Sequence, residues 1–316
     1  MPSEREQLRL MTKIARAYYE HGQRQTQIAE ELHVSQARVS RLLKAANQMG
    51  LVRTIVAMPP GVHTEVEDAL EARFGLAEAV VVEADDADAP LRALGAAVAG
   101  YLENTLISDE VIGISSWSES LLAAVDALAS LRPGVARTVV QLVGGHGHSE
   151  AQYQANRLLT RLADLTGATP VFLSAPGVLL SGADVQSLLR APSLSEATTA
   201  WGELTLALLG IGSVEPSPLA LKSGNTLPPQ TLAMLKDRGA VGDICFRYFD
   251  AEGALVSSEL NDTVVGISPE ALKAVPRRVA VAGGPRKHAA IRAALAGGWI
   301  NVLITDLATA QALLEP

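Results

Sequence analysis

Residues 24–52 read RQTQIAEELHVSQARVSRLLKAANQMGLV, and the spacing of apolar residues in this stretch leaves little choice of local fold. Ile28, Ala29 and Leu32 share one face of a first helix, and Val39, Leu42 and Leu43 share one face of a second. Val34 fills the corner between them. Ser35 is placed to N-cap the second helix, its hydroxyl accepting from a free backbone N–H. His33 stands in the turn, where the chain needs positive φ, a region in which His is among the few enriched non-glycine residues. The first helix has no Ser, Thr, Asp or Asn cap, because Arg24 and Gln25 stand at its start. Two short helices joined by a tight turn make a helix-turn-helix.

The second helix of such a pair turns its outer face to solvent, and here that face is Gln36, Arg38, Ser40, Arg41 and Lys44. A basic, polar helix face suits the major groove of double-stranded DNA. Gln36 and Arg38 lie in the first turn, where base edges come within reach; Gln pairs with adenine, and Arg with guanine or phosphate. Arg41 and Lys44 lie further along and suit phosphates, which position a protein without reading sequence. Gln25, Thr26 and Ser35, at the two helix starts, complete the DNA-facing set. The plainer alternative is an amphipathic pair with a solvated charged face. The agreement of turn, cap, core spacing and basic face argues against it.

Charge points the same way. Residues 1–60 hold nine Lys/Arg and five acids, a balance of +4; the chain as a whole is −8, so the remainder carries −12. A basic head on an acidic body concentrates attraction for phosphate at one end. Hydrophobic residues make up 48% of the 316, enough for a small domain and a large one. No apolar run reaches the length of a membrane span, and no signal segment is evident, so a soluble, cytoplasmic protein is expected. The single cysteine, Cys245, excludes an intrachain disulfide framework and reads as a buried small hydrophobe.

Before the pair, residues 8–21 read as a helix, stopped by Gly22. After it, 51–58 reads as a short strand or wing. Met58-Pro-Pro-Gly61 is the clearest linker. Thr64-Glu-Val-Glu67 reads as a capping box that opens a short helix ended by Gly75; its apolar stripe suits a contact with its own domain or with a second subunit, the latter slightly favoured. The expected domains are a helix-turn-helix DNA-binding domain over 1–58, a linker and connecting helix over 59–75, and an effector-binding and oligomerisation domain over 76–316. In that last part, strands are expected over 79–82, 111–115, 138–143, 169–173, 206–211, 243–248, 278–282 and 301–305, with helices between most of them. Their near-continuous apolar runs fit strands covered on both faces, and the fold class is α/β with a doubly wound sheet. Ligands of such sheets bind beyond the carboxyl ends of the strands.

Three loops there are candidates. Ser115-Ser-Trp-Ser-Glu-Ser120 runs into a helix, and hydroxyls with free N–H groups at a helix N-terminus suit a phosphate or a polyol. Gly144-Gly-His-Gly-His148 and Gly283-Gly-Pro-Arg-Lys287 follow two other strand ends. Lys287 suits an anion, and Asp243 suits sugar hydroxyls. His146 and His148 have no clustered acidic or cysteine partners, so no metal site is expected.

Taken in order, these motifs resemble the SorC family of sugar-binding transcriptional regulators (SorC/DeoR-type) over essentially the whole chain. The resemblance rests on the helix-turn-helix and on Gly113-Ile-Ser-Ser-Trp-Ser, Leu142-Val-Gly-Gly145, Gln154-Ala-Asn156, Gly239-Ala-Val-Gly-Asp243, Ala282-Gly-Gly284, Lys287 and Asn301-Val-Leu-Ile-Thr-Asp-Leu-Ala-Thr-Ala310. It implies a large domain similar to sugar-phosphate isomerases and deaminases, turned from catalysis to sensing, with no cofactor and a sugar, polyol or sugar phosphate as effector. By position, Ser115, Ser116, Trp117, Ser118, Glu119 and Ser120 would hold a phosphate or terminal hydroxyls, beside Gly144 and Gly145. Gln154 and Asp243 would bond sugar hydroxyls, and Lys287 would bind an anionic group. A homo-oligomer is implied, a dimer or a tetramer built as a pair of dimers.

One departure stands out. Family members often carry Gly and then a basic or neutral residue after the loop Trp, where this chain has Ser118 and Glu119. A carboxylate at a phosphate cradle repels phosphate unless it turns to solvent, so the residues leave phosphorylated and unphosphorylated effectors both open. The expected protein is a regulator of a carbohydrate or polyol operon rather than an enzyme. The alternative is a sugar isomerase or deaminase with an appended DNA-binding head, for which only Asp243 and His146 or His148 offer an acid or base. A purely architectural DNA-binding protein is a third reading.

Overall fold

The structure is a computed structural model describing residues 4–52, 59, 61–84, 90–115, 118–128, 131, 134–145, 149–179, 184–216, 221 and 226–315; for residues 4, 149–152 and 154 it describes the backbone alone. The chain divides into two compact units, Met1–Pro59 and Pro60–Pro316.

The first unit holds α1 (Glu4–Tyr19), α2 (Gln25–Glu31) and α3 (Gln36–Gln48). They close on Met11, Ile14, Ala15, Ile28, Ala29, Val39, Leu42, Leu43 and Ala46, with Leu32 and Val34 packed at the corner. His33 adopts φ 51° in the turn, a placement that costs a non-glycine residue about 1–2 kcal/mol. Ser35 Oγ accepts from the Arg38 N–H at 3.3 Å. As expected, α2 has no Ser, Thr, Asp or Asn cap: Arg24 is the N-cap and makes no side-chain cap bond, while Gln27 Oε1 accepts from the Arg24 backbone N–H at 3.0 Å. Asn47 Nδ2 donates to the Tyr19 hydroxyl at 2.7 Å and ties α3 to α1. The wing expected over 51–58 falls mostly on residues 53–58, outside the described residues.

The second unit opens with α4 (Thr64–Phe74), β1 (Glu78–Val82), α5 (Leu91–Thr105), β2 (Glu110–Ile114), α6 (Glu119–Ala127), β3 (Ala136–Gln141), α7 (Ser149–Thr166) and β4 (Thr169–Val171). It continues with α8 (Val185–Leu189), α9 (Ser195–Trp201), β5 (Leu206–Gly210), β6 (Gly212–Ser213), α10 (Pro229–Asp237), β7 (Gly242–Ile244) and β8 (Arg247–Phe249). It closes with α11 (Leu260–Thr263), α12 (Pro269–Ala274), β9 (Arg277–Val281), α13 (His288–Ala296), β10 (Val302–Asp306) and α14 (Leu307–Leu314).

Seven strands form one parallel sheet in the order β1-β10-β9-β5-β2-β3-β4. Alternate residues of each strand feed two separate cores. Ala207, Leu209, Ala280 and Leu303 pack on one face, and Leu206, Leu208, Val279, Val281, Val302 and Ile304 on the other. Both faces are covered, which is why the strands read as continuous apolar runs.

The expected capping box at α4 does not form. His63 is the N-cap and makes no side-chain cap bond. Glu67 Oε1 instead accepts from the Val81 N–H at 2.8 Å, and Glu71 Oε1 from the Ala79 N–H at 2.9 Å. These amides point away from β10 on an edge strand, so the two carboxylates close an edge otherwise open to a further strand. Leu70 of α4 is fully buried in the same chain's core, so the stripe slightly favoured as a subunit contact packs on its own domain.

The single strand expected over 243–248 is instead a hairpin, β7 and β8, in a small antiparallel sheet with β6. Ile244 pairs with Arg247, leaving Cys245 and Phe246 as a two-residue loop at φ 54° and 60°. A two-residue turn with both residues at positive φ favours Asn-Gly; a Cys-Phe sequence hides it. Asp243 Oδ2 accepts from the Phe246 N–H at 3.0 Å and holds the turn closed.

Candidate functional site

In the first unit, α3 divides cleanly. Val39, Leu42, Leu43 and Ala46 are buried, while Gln36, Arg38, Ser40, Arg41 and Lys44 are exposed. Gln36, Ser40 and Lys44 recur at four-residue spacing along one stripe. From Gln36 to Lys44 the helix rises about 12 Å, the width of the major groove. None of the ion pairs among the described residues involves Arg38, Arg41 or Lys44. Arg41 Nε only grazes the Ala37 carbonyl of its own helix at 3.4 Å. Thr26 and Ser35 are exposed and Gln25 half-buried. Ser35 has its oxygen engaged as a cap, so its contribution is to fix the start of α3.

In the second unit the candidate site follows from topology. From β2 the chain steps through β3 and β4 toward one edge; from β5 it steps through β9 and β10 toward the other. The direction reverses between β2 and β5, and a crevice opens beyond their carboxyl ends. Ser115, Ser118, Glu119, Asp243 and Lys287, among the residues singled out from sequence, are the ones the fold brings to this region. Ser115, at the end of β2, accepts from the Gly210 N–H at the end of β5 at 3.1 Å. Ser118 N-caps α6, accepting from the Leu121 N–H at 3.3 Å. A Cβ at Gly210 would lie 2.7 Å from Ser118 Cβ and Oγ, so only glycine lets the two loops meet this closely. Ser115, Ser118 and Ser120 are buried and Glu119, the first residue of α6, is half-buried. Ser116 and Trp117 lie outside the described residues.

Asp243 reaches the crevice from the hairpin. A Cβ at Gly212, just past the end of β5, would meet Asp243 Oδ1 at 2.1 Å. Burial pushes the Asp243 carboxyl up to about 6, against the opposing pull of the Phe246 N–H and Lys287. Burial likewise lowers the Lys287 ammonium below its ordinary value, with Arg286 adding to the lowering, while Glu119 and Asp243 act to raise it. Glu119, Asp243 and Lys287, from the ends of three different segments, therefore share one electrostatic environment.

The loop carrying Lys287 is fixed by residues that sequence reading did not assign to the site. Asp306 and Thr309, both buried, receive the Gly284 N–H at 3.0 and 2.8 Å. Asp306 also accepts from the Thr309 N–H at 2.9 Å and from its hydroxyl at 2.7 Å. A Cβ at Gly283 would fall 2.1 Å from Asp306 Oδ2. The available signal was an Asp at a strand end three residues before a Thr, the pattern of an N-cap.

Gly144 and Gly145 sit at the end of β3, but their amides are engaged. The Gly144 N–H donates to Val265 O at 2.9 Å and the Gly145 N–H to Ala175 O at 3.0 Å. A Cβ at Gly144 would meet Ala175 O at 2.5 Å. This pair joins neighbouring loops by close backbone packing and leaves no N–H cradle for an anion. Gln154 lies on α7, its side chain outside the description, as are His146 and His148. Among the described residues no group of His, Cys, Asp or Glu could hold a metal ion. Burial pushes the Cys245 thiol up to about 12, which keeps it unreactive. A separate groove of about 840 Å³ is lined by Asp184, Arg190, Trp201, Arg247 and Asn261 among others; none of the crevice residues borders it.

Both units match known protein families. Residues 59–315 match the Sugar-bind family, a sugar-binding domain, and residues 2–55 match a homeodomain-like domain family. The deoxyribonucleoside regulator of Bacillus subtilis (strain 168) is 34% identical over 315 residues, covering 99% of each chain. The transcriptional regulator LsrR of Escherichia coli (strain K12) is 31% identical, over 96% of this chain and 94% of that one. The crystal structure of the full-length sorbitol operon regulator SorC from Klebsiella pneumoniae superposes with a TM-score of 0.73 at 28% identity, over 98% of this chain and 100% of that one. No helix among the described residues is long and apolar enough to cross a membrane. With a helix-turn-helix head, a doubly wound body matching a sugar-binding domain, and the sorbitol operon regulator SorC and other transcriptional regulators matched end to end, the chain belongs to the SorC family of sugar-binding transcriptional regulators.

Proposed function

We propose that this protein regulates a carbohydrate or polyol catabolic operon, binding operator DNA through α3 with an affinity set by a carbohydrate effector in the crevice of the second unit. The observation that carries the reading is the convergence of Ser115, Ser118, Glu119, Asp243 and Lys287 at a strand-order reversal, in the same chain as an exposed basic helix. The relatives named as a sorbitol operon regulator and a deoxyribonucleoside regulator support a polyhydroxy effector. The DNA-facing set is Gln25, Thr26, Ser35, Gln36, Arg38, Ser40, Arg41 and Lys44, with base reading assigned to Gln36 and Arg38. The protein acts in the cytoplasm, where its operator is, as a homo-oligomer that sets two α3 helices one helical turn of DNA apart. A thermal-shift series over polyols and sugars tests the effector half: a true effector raises the melting temperature progressively with concentration. Absence of any response across the series rejects it.

A second reading has one observation in its favour. A carboxyl at about 6, such as that of Asp243, is tuned for proton transfer near neutral pH. An isomerase or deaminase activity would show as turnover of sugar phosphates by the purified protein, and its detection would displace the regulator-only account.

A further inference from the structure

The hairpin that carries Asp243 into the crevice carries Arg247 to the separate groove. Arg247 opens β8, pairs with Ile244 across the turn and borders the groove of about 840 Å³. Only 7% of it is exposed. Its Nη1 donates to the Asn261 carbonyl at 2.6 Å, the one hydrogen bond of this guanidinium among the described residues. Its Nε is buried without a partner. None of the ion pairs among the described residues includes it. The acids nearby do not fill the gap. Asp262 and Glu270 lie within electrostatic reach of Arg247 but are not ion-paired with it. Glu270 is held at the start of α12 by its own N–H and the Ser268 hydroxyl. Asp184, which also lines the groove, accepts from the Ser187 N–H and hydroxyl as the cap of α8. These acids and Arg190 are all exposed, so solvent and salt screen them; Arg247 is the buried charge. A buried charge or donor with no contact partner is costly. The Nε–Nη2 edge left open here is the fork that takes a carboxylate in two parallel bonds.

The rest of the groove suits an organic body for that carboxylate. Trp201 is half-buried and donates from Nε1 to the Gln141 carbonyl at 2.8 Å, so its polar edge is satisfied and ring carbon is left to line the groove beside Leu189. The volume falls in the ~300–1,000 Å³ range of small-molecule sites. A phosphate monoester, at about −1.5 to −2, meets more repulsion from Asp262 and Glu270 than a singly charged carboxylate does. We propose that this groove is a second ligand site, distinct from the crevice, which takes a small carboxylate with a flat apolar body: the carboxylate on Arg247, the body against Trp201 and Leu189.

Ligand-observed NMR titration of the full chain, with benzoate as the probe, tests it. Benzoate is expected to bind in the low millimolar range, as befits so small a ligand. It should bind at least about tenfold more tightly than benzamide, its neutral counterpart, or inorganic phosphate. Arg247→Lys, which keeps the charge and loses the fork, should weaken benzoate by about tenfold or more. Ala271→Trp, at an exposed groove position on α12, should obstruct the site to a similar degree with Arg247 intact. Melting temperatures of the unliganded variants report whether each is folded, and if Arg247→Lys is not, Ala271→Trp decides. Benzamide or phosphate binding as tightly as benzoate, benzoate affinity unchanged in either folded variant, or no benzoate binding at all overturns the proposal.

Discussion

The two units of this chain build their chemistry in opposite ways. In the head, every residue assigned to DNA lies within 25–44, and the fold needs little from those side chains: α3 packs with one face and presents the other. In the body, the crevice draws on residues from 115 to 287, and most are engaged in holding the frame. Ser115 bridges β2 to β5, Ser118 caps α6, and Asp243 closes the hairpin turn. A surface that binds a long polyanion can be modular, because affinity is summed over many exposed contacts. A site that must distinguish small molecules is preorganised, and its residues are fixed by the structure they complete. Electrostatics follow the same division, with a +4 head against a −12 remainder.

If that contrast is right, substitutions in the crevice should act sharply and those in the head gradually. Lys287→Ala should give the largest effect, a loss of effector binding of about a hundredfold or more, on the scale of ~2–5 kcal/mol for removing a buried charge partner. The melting temperature without ligand, read in the same experiment, should stay near that of the wild type; binding within threefold of wild type would break the comparison. Arg38→Ala should weaken a DNA site selected from a random pool by about 10- to 100-fold, from the ~1–3 kcal/mol of a bidentate base contact. Its effect on random DNA should be much smaller. Equal losses on both, in fluorescence anisotropy, would make Arg38 a phosphate contact.

Asp243 offers a test through pH. Its folded-state value, about 6, lies above the ordinary 3.8, so its contribution to stability is fully present below the unfolded value and is lost as pH rises through about 6. Relative to Asp243→Asn, which keeps an acceptor for the Phe246 N–H, the unliganded wild type should therefore be more stable at pH 4–5 than at pH 7. Effector affinity should run the other way, rising as the carboxylate ionises, and Asp243→Asn should flatten both profiles. The smallest effect is expected at the head's turn. His33→Gly relieves a positive φ and should stabilise the head by up to about 1 kcal/mol without changing DNA affinity, visible as a small rise in its calorimetric transition.

The same division governs what could be read in advance. The helix-turn-helix was legible because its signals are local: apolar spacing within a helix, a cap at Ser35, a strained residue at His33. The parallel strands were legible as continuous apolar runs. The turn at Cys245 and Phe246 was not, because its usual residues are absent and the turn is held by the Asp243 side chain. Glu67 and Glu71 read as helix residues, and nothing near them in sequence announces that they close the edge of β1. The same holds for the pair of half-buried Arg277 Nη2 and buried Glu110 Oε1, 2.7 Å apart and 167 residues apart in sequence. It lies at the amino ends of β2 and β9, away from the crevice, and secures the sheet. Lys287 and Asp243 stand out as candidates from their own loops and again by family resemblance, whereas the Asp306–Thr309 clamp that fixes the Lys287 loop emerges only from the fold.

The account's central claim is that the crevice controls the basic helix, and linkage makes that claim measurable. Anisotropy titration of the selected DNA site, with and without a saturating amount of the tightest free polyol or sugar, should show a shift in affinity of about 5- to 150-fold, with saturating DNA shifting affinity for the small molecule by the same factor. A DNA affinity unchanged by a compound that demonstrably binds the crevice would contradict it.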